Sequence, residues 1–112
     1  MKGNKYGAKA TVVDGVRFAS MKEAKRWVQL SLMEKAGEIR NLRRQVAIPM
    51  IGQIAPMKTR SGKQMRMTVD FAYEDRRRGW TTVYEDSKGK PTRDYEVRRA
   101  AVMAMGFEVL ET

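Results

Sequence analysis

A chain of 112 residues with 23 Lys+Arg against 13 Asp+Glu carries a formal charge of +10, which on one ordinary domain favours a polyanionic partner, nucleic acid being the commonest. It contains no Cys and no His, so disulfides, zinc-thiolate sites, cysteine nucleophiles and the usual general base are excluded. Catalysis would fall to carboxylates, Lys, Tyr, Ser or Thr, and a metal would be hard and oxygen-liganded, Mg²⁺ or Mn²⁺.

The opening "MKGNKYGAKA" (residues 1–10) is basic, Gly-rich and aperiodic, and reads as a flexible arm. In "TVVDGVRFAS", Asp14-Gly15 between β-prone pairs signals a hairpin. Ser20 then opens a helix with an apolar stripe through Met21, Ala24, Trp27, Val28, Leu32 and Met33, ended by Gly37. Ser20 with Glu23 fits a capping box. From Leu42 to Ile54 the pattern turns extended, and Pro49 suggests an edge or a bulge. "APMKTRSGK" is a basic loop. "QMRMTVDFAYED" alternates, with Met65, Met67, Val69, Phe71 and Tyr73 on one face, and "WTTVYEDSK" returns as its partner after "RRRG". A second helix follows, capped by Thr92 and ended at Gly106, and "FEVLE" closes as a strand. The expected fold is a single α+β (α/β) domain: an N-terminal hairpin, then helix, three strands, helix, strand, with helices covering a mixed, mainly antiparallel sheet. Trp27, Trp80 and most Met side chains are expected in the core.

The chemistry turns on register. A three-residue turn of Arg77, Arg78 and Gly79 would pair Arg76 with Trp80. Asp70 then faces Asp86 and Thr68 faces Lys88. Alternation puts Asp86 and Lys88 on one face of the sheet and Glu85 on the other. Opposed Cβ atoms lie ~5 Å apart, and two like charges so placed repel unless a cation or a proton lies between them. Asp70, Asp86 and the backbone carbonyl of Ser87 could hold Mg²⁺ with water positions open, and Lys88 could orient the attacking water.

These residues resemble something. "VDFAYEDRRRGWTTVYEDSK" resembles the Asp…(Asp/Glu)-x-Lys signature of the PD-(D/E)xK nuclease superfamily. The chain also resembles a family of small phage and prophage proteins assigned to it, from "KYGAKATVVDGVRFASMKEAKRW" through "AGEIRNLRRQ" to "DYEVRRAAV". The resemblance implies a restriction-endonuclease-like α-β-β-β-α-β core, a divalent metal and hydrolysis of DNA phosphodiesters, with Asp70, Asp86 and Lys88 as the signature and Glu23 as the helical acid. Val69 stands where the superfamily often has Pro. Asp86 replaces the commoner Glu, which shortens that ligand arm by one methylene.

Each residue also has a plainer reading. Glu23 serves equally as a helix cap, Asp86 and Lys88 as a surface ion pair, Asp70 as a solvated strand residue, and Glu85 as a salt-bridge partner. Gln45 either supports the site by hydrogen bonding or fills an ordinary strand position. Lys90, Arg93, Arg98 and Arg99 would grip phosphates or simply form a solvated basic face. Three functions therefore stand: a Mg²⁺-dependent endonuclease on DNA, branched substrates being suggested by analogy with resolvases and repair nucleases; a non-catalytic nucleic-acid-binding accessory protein; and a basic partner of another protein. Domains of this kind often work as homodimers, though no sequence feature marks an interface. No signal-peptide pattern opens the chain and no apolar run nears the ~20 residues of a membrane span, so a cytoplasmic location, in a bacterial host if phage-encoded, is expected.

Overall fold

The computed structural model describes residues 10–87 and 92–112. The readings placed on residues 1–9, Lys88 and Lys90 lie outside them. Strands β1 (Thr11–Val13) and β2 (Val16–Phe18) form the expected hairpin, with Asp14 and Gly15 at φ 50° and 78°. Left-handed geometry at both turn residues is what a two-residue hairpin loop requires.

Helix α1 (Met21–Lys35) begins where the Ser20 hydroxyl accepts the Glu23 N–H at 3.2 Å, and gives way at Gly37. The main sheet follows, with β3 (Ile39–Pro49), β4 (Arg66–Asp75), β5 (Thr81–Asp86) and, after α2 (Arg93–Ala104), β6 (Val109–Glu111). Its order is β3-β4-β5-β6; β6 joins β5 parallel and the other pairs are antiparallel. Thr92 caps α2 by accepting the Tyr95 N–H at 3.1 Å. The helix supplies the crossover that a parallel neighbour needs. The architecture is the expected α+β arrangement, in the expected element order.

Three local expectations need correction. The extended segment runs Ile39–Pro49 rather than 42–54, because buried Ile39 is already core and the chain turns beyond Met50. The β4–β5 turn is five residues long: Asp75 pairs with Thr81, and Arg76–Arg78 form a 3-10 turn. The Asp75 carboxylate accepts the Arg77 N–H at 3.0 Å and its carbonyl takes the Trp80 N–H at 2.7 Å. One residue is added on each side of the turn, so the register survives: Phe71 pairs with Glu85 and Tyr73 with Val83. Trp80 is a turn residue rather than a core one, with the Arg40 guanidinium 4.1 Å from its ring centroid.

Two apolar clusters share the sheet. Phe18, Ala24, Leu30, Ile39, Phe71, Tyr73 and Val83 gather under α1, with Trp27 stacked on Phe71. Ile48, Met50, Met67, Val69, Val102 and Val109 gather under α2. Each such large side chain, fully buried, contributes roughly 1.5–3 kcal/mol. The apolar face read along β4 thus divides: Met67 and Val69 join the α2 cluster, Phe71 and Tyr73 the α1 cluster. Asp70 sits at that division. Across from it, between the pairs Arg44–Phe71 and Val46–Val69, Gln45 adopts φ 48°. The sheet therefore presents a polar seam between its two cores.

Candidate active site

The ladder carries Asp70 and Asp86 to the end of the β4–β5 pairing, just beyond Phe71–Glu85. Each carboxylate is held by the backbone of the other strand. The Ser87 N–H donates to Asp70 Oδ2 at 2.7 Å, and the Asp70 N–H donates to Asp86 Oδ1 at 3.2 Å. The two acids are therefore fixed side by side, with one oxygen of each engaged by backbone.

The Gln45 amide joins a third acid to this pair. Its Nε2 donates to Glu23 Oε2 at 3.0 Å and lies 3.5 Å from Asp70 Oδ1. With a left-handed backbone, Gln45 directs its amide to these two acids rather than filling an ordinary strand position. Glu23 is buried, and Arg44 stands 3.9 Å from it. Glu23 both contributes its N–H to the helix cap and turns its carboxylate to the seam. The cap is made by its backbone N–H, which leaves the carboxylate free to meet Gln45.

The electrostatics record crowding. Burial, and then the charge of Asp70, pushes Asp86 up to about 7. Burial raises Asp70, partly opposed by the Ser87 N–H. Burial and Asp70 raise Glu23. A carboxyl group raised in the folded state holds its proton over a pH range where the unfolded chain has lost it. Its contribution to stability is therefore present at low pH and lost as pH rises through the folded pKa. Asp86→Asn should then stabilise the protein most at pH 8 in EDTA, on the order of 1–2 kcal/mol after discounting for partial exposure. The gain should shrink toward zero at pH 4. Melting curves of the two proteins that run parallel from pH 4 to pH 8 would contradict this.

A fourth acid escaped the sequence reading. Glu111 pairs with Asp86 along the parallel β5–β6 ladder and accepts the Tyr95 hydroxyl at 2.8 Å. Arg99 lies 3.6 Å from the same carboxylate oxygen. Arg99 is thus at the seam, whereas Arg98 is elsewhere: it bonds Asp94 at 2.9 Å and the Arg66 carbonyl at 2.7 Å. Arg93 is exposed at the start of α2. These placements separate the four proposed phosphate contacts: Arg99 belongs to the acid seam, Arg98 to a different surface, Arg93 to the exposed first turn of α2, and Lys90 to the undescribed connection.

Glu85 belongs to a structural network. It is 1% exposed and takes the Arg26 guanidinium in two bonds of 2.8 and 2.6 Å, together with the Tyr73 hydroxyl. Desolvation and Glu85 hold the Tyr73 phenol well above its ordinary pKa. Only the alternation of facing was readable beforehand; that Arg26 reaches it from α1 was not.

Among the described residues no three acidic side chains converge closely enough to form a metal-binding group. Two carboxylates do converge, and Glu23 stands one hydrogen bond away. Mg²⁺ is commonly held by one or two carboxylates with water and substrate oxygens filling the rest. The Asp70–Asp86 pair matches that donor set in chemistry, and its mutual repulsion is what a cation would relieve.

The fold and seam define a basic α+β domain with paired carboxylates at a strand end. The chain belongs to the family described as "Protein of unknown function (DUF1064)", whose model matches residues 3–111. No curated protein and no solved structure matches it. No helix among the described residues is long and apolar enough to cross a membrane.

Proposed function

We propose that the protein is a metal-dependent endonuclease that hydrolyses DNA phosphodiester bonds, in the phage recombination, repair or processing setting that its resemblance to PD-(D/E)xK nucleases suggests. The observation that carries this reading is the reciprocal backbone clamp on Asp70 and Asp86. It pairs two backbone N–H groups at the strand end, and in doing so holds two repelling carboxylates side by side where a cation would relieve them.

Asp70, Asp86 and the Ser87 carbonyl would hold the ion, with Glu23 positioned through Gln45. A bound Mg²⁺ or Mn²⁺ would supply charge stabilisation at the scissile phosphate and a more acidic water. Lys88 follows Ser87 directly and is assigned to orienting that water and offsetting phosphate charge. Arg99, already at the seam, is assigned to a phosphate. The net charge of +10 supplies general attraction for the polyanion.

Plasmid, flapped and four-way-junction DNA incubated with Mg²⁺, Mn²⁺ or EDTA tests the reading: cutting is expected with metal only. A second reading, a nucleic-acid-binding accessory protein on the same fold, is favoured by the absence of a three-acid group among the described residues. Salt-sensitive DNA binding without cutting would select it. A separate readout needs no substrate. Mg²⁺ at ~100 times its dissociation constant should stabilise the protein by about 2.7 kcal/mol. That melting shift should vanish in Asp86→Ala; a shift that persists would place the ion elsewhere.

A further inference from the structure

The connection between β3 and β4, residues 50–65, is built rather than slack. The Met50 N–H donates to the Met65 carbonyl at 2.9 Å, the Met57 N–H to the Met50 carbonyl at 2.9 Å, and the Met65 N–H to the Met57 carbonyl at 2.8 Å. At that junction Gln64 Nε2 reaches the carbonyls of Met50, Met57 and Met65 at 2.9, 3.1 and 2.9 Å. Two tight turns project from it. In the first, the Gly52 N–H meets the Ala55 carbonyl at 2.8 Å. A Cβ on Gly52 would come within 2.9 Å of that oxygen, so the turn needs glycine. In the second, Thr59 and Lys63 close the loop at 2.8 Å.

The first turn holds Ile54 98% exposed, beside exposed Ile51 and Met57. The second carries Lys58, Arg60 and Lys63. From Ile39 to Val69 the sequence has seven Lys or Arg and no Asp or Glu, so the cations of this arm have no acidic neighbour along the chain. At its base, Thr59, Lys63, Gln64, Met65, Arg66 and Arg98 line a basic groove.

An apolar tip flanked by unopposed cations fits a partner that is anionic outside and apolar within. Nucleic acid is such a partner, and a single aliphatic side chain is enough to open a base step. Membrane insertion instead uses a broad apolar helical face, which this tip lacks. The arm also grows from the strand that carries Asp70: Arg66 at its foot is four residues away, ~13 Å along an extended strand. DNA seated at the acid seam would therefore pass the foot of the arm.

We infer that the arm is a DNA wedge, with Ile54 entering a base step opened at a branch, nick or mismatch while Lys58, Arg60 and Lys63 hold the flanking phosphates. The inference rests on the nucleic-acid part of the proposed function and names its substrate class as DNA with an interrupted stack. Branched or nicked sites are the favoured places because unstacking there costs less than in continuous duplex.

The test uses the full chain in EDTA, with a four-way junction carrying 2-aminopurine at the branch and a duplex of equal length. The wild type should bind the junction at least ~10-fold tighter and brighten the probe, as loss of one stacking interaction implies. Ile54→Ala should reduce that preference below ~3-fold while keeping duplex affinity, because base–side-chain contacts rather than phosphate contacts are removed. Ile54 packs against little of the fold, so its truncation should leave the fold intact, which circular dichroism checks. Lys58→Ala/Arg60→Ala/Lys63→Ala should weaken both complexes and flatten the salt dependence by about three logarithmic units per decade. Unchanged junction preference in Ile54→Ala overturns the wedge, as does binding to phosphatidylserine vesicles without DNA binding. Junction binding with the probe signal but no metal-dependent cutting removes the hydrolase reading and leaves the wedge. Cutting with Ile54→Ala indistinguishable from wild type in binding does the reverse.

Discussion

Asp70→Asn is expected to give a folded protein that still binds DNA but no longer cuts it. The asparagine carbonyl can replace Asp70 Oδ2 as acceptor of the Ser87 N–H, so the strand end keeps its shape. What disappears is the negative charge shared with Asp86. Loss of one preorganised electrostatic group in an active site costs ~10²–10³-fold in rate, and under the proposed role, in which Asp70 also holds the ion, the loss should be no smaller. Asp86→Asn should be equally inactive while melting higher than wild type at pH 8. Opposite effects on activity and stability from one substitution are expected where charge is kept for chemistry at the expense of the fold. Metal-dependent cutting at the wild-type rate by Asp70→Asn would show that the chemistry does not run through this acid pair.

The second large effect lies on the other face of β5. Arg26→Ala should destabilise the protein by about 3–5 kcal/mol, because it strands a buried carboxylate without its cation. Glu85 is 1% exposed, and Arg26 is its ion-pair partner at 2.6 Å. Replacing the whole network by apolar groups of similar size, Arg26→Met with Glu85→Leu and Tyr73→Phe, should recover most of the loss, since no polar group is then left buried alone. Chemical denaturation measures both proteins. A loss under ~1 kcal/mol in Arg26→Ala would show that water reaches Glu85, as exposed pairs are worth little. Glu85 and Asp86 thus separate cleanly: one residue ties α1 to the sheet and its neighbour faces the seam.

Much of this was legible because two periodicities differ so plainly. The stripe from Met21 to Met33 and the alternation from Met65 to Tyr73 each admit one kind of element. The β4–β5 register was readable even though the turn was not, since lengthening a hairpin loop equally on both sides leaves every pair in place. Gln45 was harder: a left-handed residue inside a strand has no sequence signature when it is not glycine. A supporting hydrogen bond could be anticipated from the residue type, but neither its partners nor its direction could. Glu111 was invisible for a different reason. A parallel strand takes its register from the packing of the crossover helix, and three residues of β6 carry no pattern that sets it. The split of β4 between two cores likewise depends on where each helix lies, which alternation does not encode.

Because β6 joins β5 only through α2, the neighbourhood of Asp86 is completed by the chain's last described strand. The Thr112 N–H reaches the Asp86 carbonyl at 3.0 Å, and Phe107 meets Tyr84 edge to face at 5.3 Å. During synthesis, β5 must wait as an open sheet border until residues more than twenty positions later emerge and dock. Nascent protein can therefore gain its α1 core before the strand that brings Glu111 beside Asp86 has docked.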